Sequence, residues 1–253
     1  MPYRFAQDRP NYADFAAGPV LYSLPGRPAF PVRLTTEIFQ RCQAHLRRMG
    51  KDGPYTVYDP CCGSGYLLTT LAYLHWPALR RLLASDVDPA AAALAGRNLS
   101  LLTLAGIEAR LAQLADLHRQ FGKLSHAQAL AGAERLRARL RDHLRLHPLE
   151  SRVFVADALQ GAALQPYLAD EAADIVMTDI PYGQRTTWRE AGTLPGEPGP
   201  GWRLLEALRW IVTQETIIAV TADKGQKIAH EAYQRVEQFQ IGKRRTCLFR
   251  AQV

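Results

Sequence analysis

The loop Asp59-Pro60-Cys61-Cys62-Gly63-Ser64-Gly65 lies between a short β-type run and an apolar helical run. Gly63 and Gly65 let a backbone turn tightly and approach a ligand, with the amides at the start of the next helix facing it. Alone, such a pair is equally well explained as a plain tight turn, so the residues downstream decide. Asp86 closes the next β-type run, 23 positions beyond Gly63, where an acidic side chain accepts hydrogen bonds from both hydroxyls of a ribose. Asp88, just before Pro89, is better suited to capping the following helix, which leaves Asp86 for the sugar. Asp157 follows a third run and can accept from an adenine amino group, with Ala158 or Leu159 packed on the ring. Asp59 stands where a dinucleotide loop would open with glycine, and an acid there suits a cationic ligand bearing an amine. The pattern points away from a nicotinamide dinucleotide, whose G-x-G-x-x-G loop is missing.

Acids used in this way must sit at strand ends along one edge of a sheet. A strand at 55–58 leads into the glycine loop, and a buried strand at 81–85 ends on Asp86 before an Ala-rich helix that runs through Leu99. Strand character returns at 152–155, 174–178 and 216–220, and 236–239 with 245–249 reads as a terminal hairpin. Residues 104–147 read as helix nearly throughout, far longer than an ordinary connection, and are taken as a helical insertion. Prolines punctuate an extended lead-in over 1–31, and Ile38, Phe39, Cys42, Leu46 and Met49 recur at helical spacing over 35–49. Residues 1–50 therefore form an N-terminal extension and helix. The expected architecture is α/β, with one domain over 1–253 and a mostly parallel Rossmann-like sheet of seven strands. Helices cover both faces, and an antiparallel hairpin closes the C-terminal edge. Ligands bind such sheets beyond the carboxyl ends of the strands.

Bulk properties narrow the class. The chain has 253 residues, 47% hydrophobic and 22% charged, an ordinary globular composition. Lys and Arg outnumber Asp and Glu by 31 to 24, which favours an anionic partner. The first residues show no signal-peptide pattern and no stretch reaches the length of a membrane span, so a cytoplasmic protein without a membrane partner is expected. None of Cys42, Cys61, Cys62 and Cys247 forms a C-x-x-C pair, and adjacent Cys61 and Cys62 are poorly placed to chelate one ion. Reduced structural thiols and no metal are expected.

The acid before the glycine loop resembles the first motif of S-adenosylmethionine-dependent methyltransferases, in which it helps position the methionine moiety near the sulfonium. Asp179-Ile180-Pro181-Tyr182-Gly183, after the fourth strand, resembles the D-P-P-Y type motif of nucleic-acid amino-group methyltransferases. There the acid or a backbone carbonyl accepts a hydrogen bond from the target nitrogen, the ring stacks on an extracted base and the proline stiffens the turn. By itself Pro181-Tyr182-Gly183 is a turn capped by a ring. The order of the three motifs gives it more weight. The stretches 59–69, 84–89 and 179–188 are together similar to the AviRa family of avilamycin-resistance rRNA methyltransferases, and the likeness extends over the lead-in and the insertion. The Cys-Cys within the glycine loop and Arg185-Thr186-Thr187-Trp188 are its most specific features.

The resemblance implies methylation of a guanine in 23S rRNA at ring nitrogen N1, S-adenosylmethionine as cofactor, the rRNA or the large subunit as partner, and resistance to orthosomycins such as avilamycin. The expected cofactor site is Asp59, Pro60, Cys61, Gly63, Gly65, Tyr66, Leu67, Asp86, Val87, Asp157 and Ala158. Asp179, Pro181 and Tyr182 are the expected catalytic residues, with Asp179 assisting removal of the N1 proton or accepting its hydrogen bond. An RNA surface is expected from Arg185, Trp188 and Arg189, from Arg137 and Arg141 on the insertion, and from Lys243 and Arg244 at the tail. The Arg/Leu alternation over 135–145 is equally compatible with a solvated helix face. The D-x-P-Y pattern also fits an exocyclic amine. A non-catalytic RNA-binding assembly factor would need none of these acids, and a small-molecule methyltransferase fits the basic balance less well. A monomer is the default.

Overall fold

The computed structural model describes residues 3–16, 18–23, 29–168, 172–180 and 198–252. Among them the strands are β1 (Tyr55–Asp59), β2 (Leu79–Asp86), β3 (Glu150–Val155), β4 (Ile175–Asp179), β5 (Ile217–Asp223), β6 (Tyr233–Ile241) and β7 (Arg244–Ala251). The helices are α1 (Val32–Arg48), α2 (Tyr66–His75), α3 (Pro89–Ser100), α4 (Leu104–Phe121), α5 (Leu124–Leu146), α6 (Gly161–Leu168) and α7 (Pro200–Leu208). One sheet runs in the order β3-β2-β1-β4-β5-β7-β6. The first five strands are parallel, and β7 is antiparallel to both β5 and β6.

Side-chain alternation explains the layers. Val57, Ile175, Met177, Ile217 and Ala219 face a core shared with α1, α2, α4 and α5. Their neighbours Tyr58, Val176, Ile218 and Val220 face a second core with α6 and α7. A central parallel strand buried on both faces reads as a continuous apolar run, as β1 and β5 do. Leu71, Val57 and Ile175 are fully buried, and truncating any of them to alanine costs about 2–5 kcal/mol.

The helical insertion over 104–147 consists of two helices, α4 and α5. Gly122, at φ +59°, ends α4 in a left-handed cap and lets α5 fold back on it. The lead-in is less extended than its prolines suggest. Ala13–Phe15 forms a 3-10 turn, and Phe15, Val20 and Leu21 are buried. Polar anchors hold it down: the buried Glu37 carboxylate of α1 accepts the backbone amides of Arg4, Phe5 and Ala6 at 2.7–2.9 Å. From α4, Arg110 donates to the carbonyls of Val20 and Pro19, while Arg135 of α5 grips Asp14 through both of its carboxylate oxygens. No single described helix is long and apolar enough to cross a membrane.

Candidate active site

The carboxyl edge of the parallel strands gathers the acids. Asp59 ends β1, Asp86 ends β2 and Asp179 ends β4, with β1 between β2 and β4. The glycine loop folds across the end of β2: Cys62 N donates to the Ser85 carbonyl (2.9 Å) and Gly65 N to the Cys62 carbonyl (2.8 Å). Gly63 (φ +54°) and Gly65 (φ +69°) both adopt left-handed backbone, for different reasons. A Cβ on Gly65 would come within 3.0 Å of the Ala95 Cα on α3, whereas one on Gly63 would meet nothing within 4 Å. Gly65 thus permits close packing of the loop on α3, and Gly63 opens onto free space that a ligand can fill. No side chain caps the first turn of α2, which begins at Tyr66.

Asp86 supports the loop from below: Oδ2 accepts Gly63 N at 2.9 Å and Oδ1 accepts Asp88 N at 2.9 Å. Each oxygen keeps a further lone pair for a hydroxyl donor. Beside it Val87 is 38% exposed, an apolar side chain open to cover by a ring. On the next strand end, Ala156 N donates to the Asp86 carbonyl at 3.1 Å. Asp157 Oδ1 accepts Leu159 N at 2.9 Å, and Ala158 is buried.

The remaining acids are electrostatically unusual. Asp59 is 2% exposed, and burial pushes its carboxyl up to about 7, reinforced by the charges of Asp86 and Asp179. The Cys61 amide donates to Asp59 Oδ1 at 3.1 Å. Thr178 on β4 lies close enough to soften the rise without completing a hydrogen bond of normal geometry. Burial likewise pushes Asp179 up to about 7, against the opposing charge of Arg244. Asp179 Oδ1 is shielded and has no hydrogen-bond partner among the described residues. A shielded acceptor so placed calls for a donor. The Cys61 and Cys62 thiols are raised well above their ordinary range, first by burial and then by Asp59, so they remain neutral packing groups.

Several expected residues take other places. The Tyr66 hydroxyl donates to the Phe15 carbonyl and Leu67 is in the core, so these side chains support the loop and lead-in. Arg137 pairs with Glu108 and Glu134, and Arg141 with Glu108, because α4 lies alongside α5. The cationic flank read from the alternation is therefore neutralised at these two positions by acids of the insertion itself. Arg244 lies over the Phe30 ring (5.7 Å) and acts on Asp179, so it belongs to the site as much as to its rim. Lys243 is exposed on the turn before β7. Pro181, Tyr182, Arg185, Trp188 and Arg189 lie outside the described residues.

Sequence reasoning missed Asn98. On α3 it is completely buried, accepting Tyr22 N (2.8 Å) and donating to the carbonyls of Tyr22 (2.9 Å) and Ser64 (2.8 Å). Its signal was an amide on the apolar stripe of Leu94, Ala95 and Leu99, where a buried polar group must have partners.

A parallel sheet extended by a reversed strand, with acids meeting over a glycine loop at its carboxyl edge, is the fold of a Rossmann-like methyltransferase. More narrowly, this chain belongs to the AviRa family of rRNA methyltransferases, whose family model matches residues 1–244. A curated relative from Streptomyces viridochromogenes, the 23S rRNA (guanine(2535)-N(1))-methyltransferase, is 46% identical over 249 residues, covering 98% of this chain and 96% of its own length. Two solved structures of rRNA methyltransferase aviRa from the same organism share 44% identity, with TM-scores of 0.84 and 0.85. Each alignment covers 99% of this chain and 96% of the other.

Proposed function

We propose that this protein transfers a methyl group from S-adenosylmethionine to ring nitrogen N1 of a guanine in 23S rRNA, and that the modification confers orthosomycin resistance. The observation that carries the reading is the shielded Asp179 Oδ1, without a hydrogen-bond partner among the described residues, on a strand end beside the Asp59–Asp86 loop. The identity to the curated guanine-N1 methyltransferase supports the choice of base and atom.

The residues present fit the cofactor: the open face of Gly63, the free lone pairs of Asp86, the exposed Val87 and the buried Asp59. Asp59 would meet the amine of the methionine moiety, whose charge favours the ionised carboxylate. Asp86 would take the ribose hydroxyls, with Val87 and Ala158 on the adenine faces and Asp157 at its amino group. When bound, the cofactor supplies an electrophilic methyl on a sulfonium. Asp179 Oδ1 would take the N1 proton of guanine, leaving the ring nitrogen as the nucleophile for that methyl. Positioning a nucleophile in line supplies much of the rate, so no protein nucleophile is needed. Pro181 and Tyr182 would stiffen the turn and stack on the extruded base, and Arg185, Trp188 and Arg189 would hold the flanking RNA.

The test is methyl transfer from tritiated S-adenosylmethionine to unmodified 23S rRNA, with Asp179→Ala in parallel. Label on RNA that is lost in the variant is expected. Normal cofactor binding with no label on rRNA or subunits would overturn the substrate assignment.

A further inference from the structure

Two turns meet at the carboxyl edge on the Asp179 side of the sheet. The first follows β5, where Asp223 Oδ1 accepts Gly225 N at 2.9 Å and Gln226 N donates to the Asp223 carbonyl at 3.0 Å. The second joins β6 to β7 through Gly242, at φ +61°, and Lys243. They are fastened together: Lys224 N donates to the Lys243 carbonyl at 2.9 Å, and the Arg245 guanidinium donates to the Gln226 carbonyl. The strand register sets their position. Asp179 pairs laterally with Thr221, Thr221 with Thr246 and Asp223 with Arg244. Two strand spacings, roughly 10 Å, separate Asp179 from Thr246, and Lys243 lies three residues further along, roughly another 10 Å, so the second turn stands about 14 Å from the acid.

Lys224, Lys227 and Lys243 are all exposed, and no described carboxylate forms an ion pair with them. The acid within these turns, Asp223, is engaged by its own loop amide. Most arginines of the insertion behave oppositely: Arg135, Arg137, Arg141 and Arg145 are paired with Asp14, Glu108, Glu134 or Asp142, while Arg139 lies over the Phe15 ring at 5.9 Å. Uncompensated cationic charge therefore stands beside the site, on loops that the linear sequence places 16 residues apart. Among the described residues of the two turns, no exposed large apolar side chain accompanies the three lysines. A protein-binding patch would be centred on such groups, whereas charge without them matches a phosphate backbone.

We infer that the two fastened turns form a phosphate-binding cradle, in which Lys224, Lys227 and Lys243 grip the RNA backbone beside the target nucleotide. The inference rests on the RNA-methylating reading above. Ammonium groups on flexible stems act as point charges, so the cradle sets affinity and register without reading bases.

The test is the triple variant Lys224→Gln, Lys227→Gln, Lys243→Gln, measured by filter binding to a 23S rRNA transcript across a salt series and by methylation kinetics. RNA affinity and KM should weaken by about tenfold or more near physiological salt, and the slope of log K against log salt should fall by about 2 to 3. Turnover at saturating RNA and the cofactor KM should stay at the wild-type level. Arg141→Gln with Arg145→Gln should leave the salt slope unchanged. Wild-type RNA affinity and slope in the triple variant would overturn the cradle. Weakened binding by the triple variant, in a wild-type protein that binds but does not methylate the transcript, would keep the cradle and remove the reaction.

Discussion

The Asn98 side chain of α3 donates a 2.8 Å hydrogen bond to the Ser64 carbonyl, at the centre of the glycine loop. The same amide exchanges two bonds with Tyr22 of the lead-in. One buried side chain thus fixes the cofactor loop and the N-terminal segment against each other.

Asn98→Leu should strand the Ser64 carbonyl and the Tyr22 backbone groups, at about 1–3 kcal/mol for each buried group left unpaired. Cofactor binding should weaken by about tenfold, equivalent to 1.4 kcal/mol, while turnover at saturating cofactor changes little. Calorimetric titration with S-adenosylmethionine, alongside a urea melt, separates the two effects. Unaltered cofactor affinity in a destabilised variant would reduce Asn98 to a packing role.

The two loop glycines should respond differently to alanine. Gly65→Ala must push against the α3 backbone at Ala95 as well as strain a left-handed φ, so the fold itself should lose stability. Gly63→Ala shares the backbone strain but meets open space, so it should cost less stability and fall more on cofactor affinity. Thermal melts and cofactor titrations on both variants check the contrast.

Burial holds Asp59 and Asp179 up to about 7, and this fixes two opposite pH dependences. Proton acceptance needs ionised Asp179, so kcat/KM, which reports the groups of the free enzyme, should rise with pH through about 7 and then level. Stability of the ligand-free protein should move the other way. An unfolded aspartate titrates near 4, so between about pH 4 and 7 the folded chain holds more protons than the unfolded one. The contribution of these two carboxyls is complete below that window and is lost as pH rises through it. Urea melts at pH 5 and 8 should show the loss, and Asp59→Asn or Asp179→Asn should shrink it.

Much of this was legible because local rules and the global fold agree. The apolar runs at β1 and β5 require burial on both faces, and Asp59, Asp86 and Asp179 each end a strand, so placing the strands places the acids. What was hidden depends on distant partners. Glu108 meets Arg137 across 29 residues only because Gly122 folds α5 back on α4, so the arginine face read as cationic. Glu37 and Arg110 anchor the lead-in through backbone groups, which carry no residue identity for a sequence to display. Lys224 and Lys227 sat on an unremarked loop until β7 turned back beside β5.

The most direct measurement is primer extension on 23S rRNA after incubation with the protein and S-adenosylmethionine. A methyl on guanine N1 blocks the Watson–Crick edge and halts the polymerase. One new stop at a single guanine is expected, dependent on cofactor and absent with Asp179→Asn. Methyl label on the RNA with no such stop would place the chemistry on another atom and contradict a proton-accepting role for Asp179 at guanine N1.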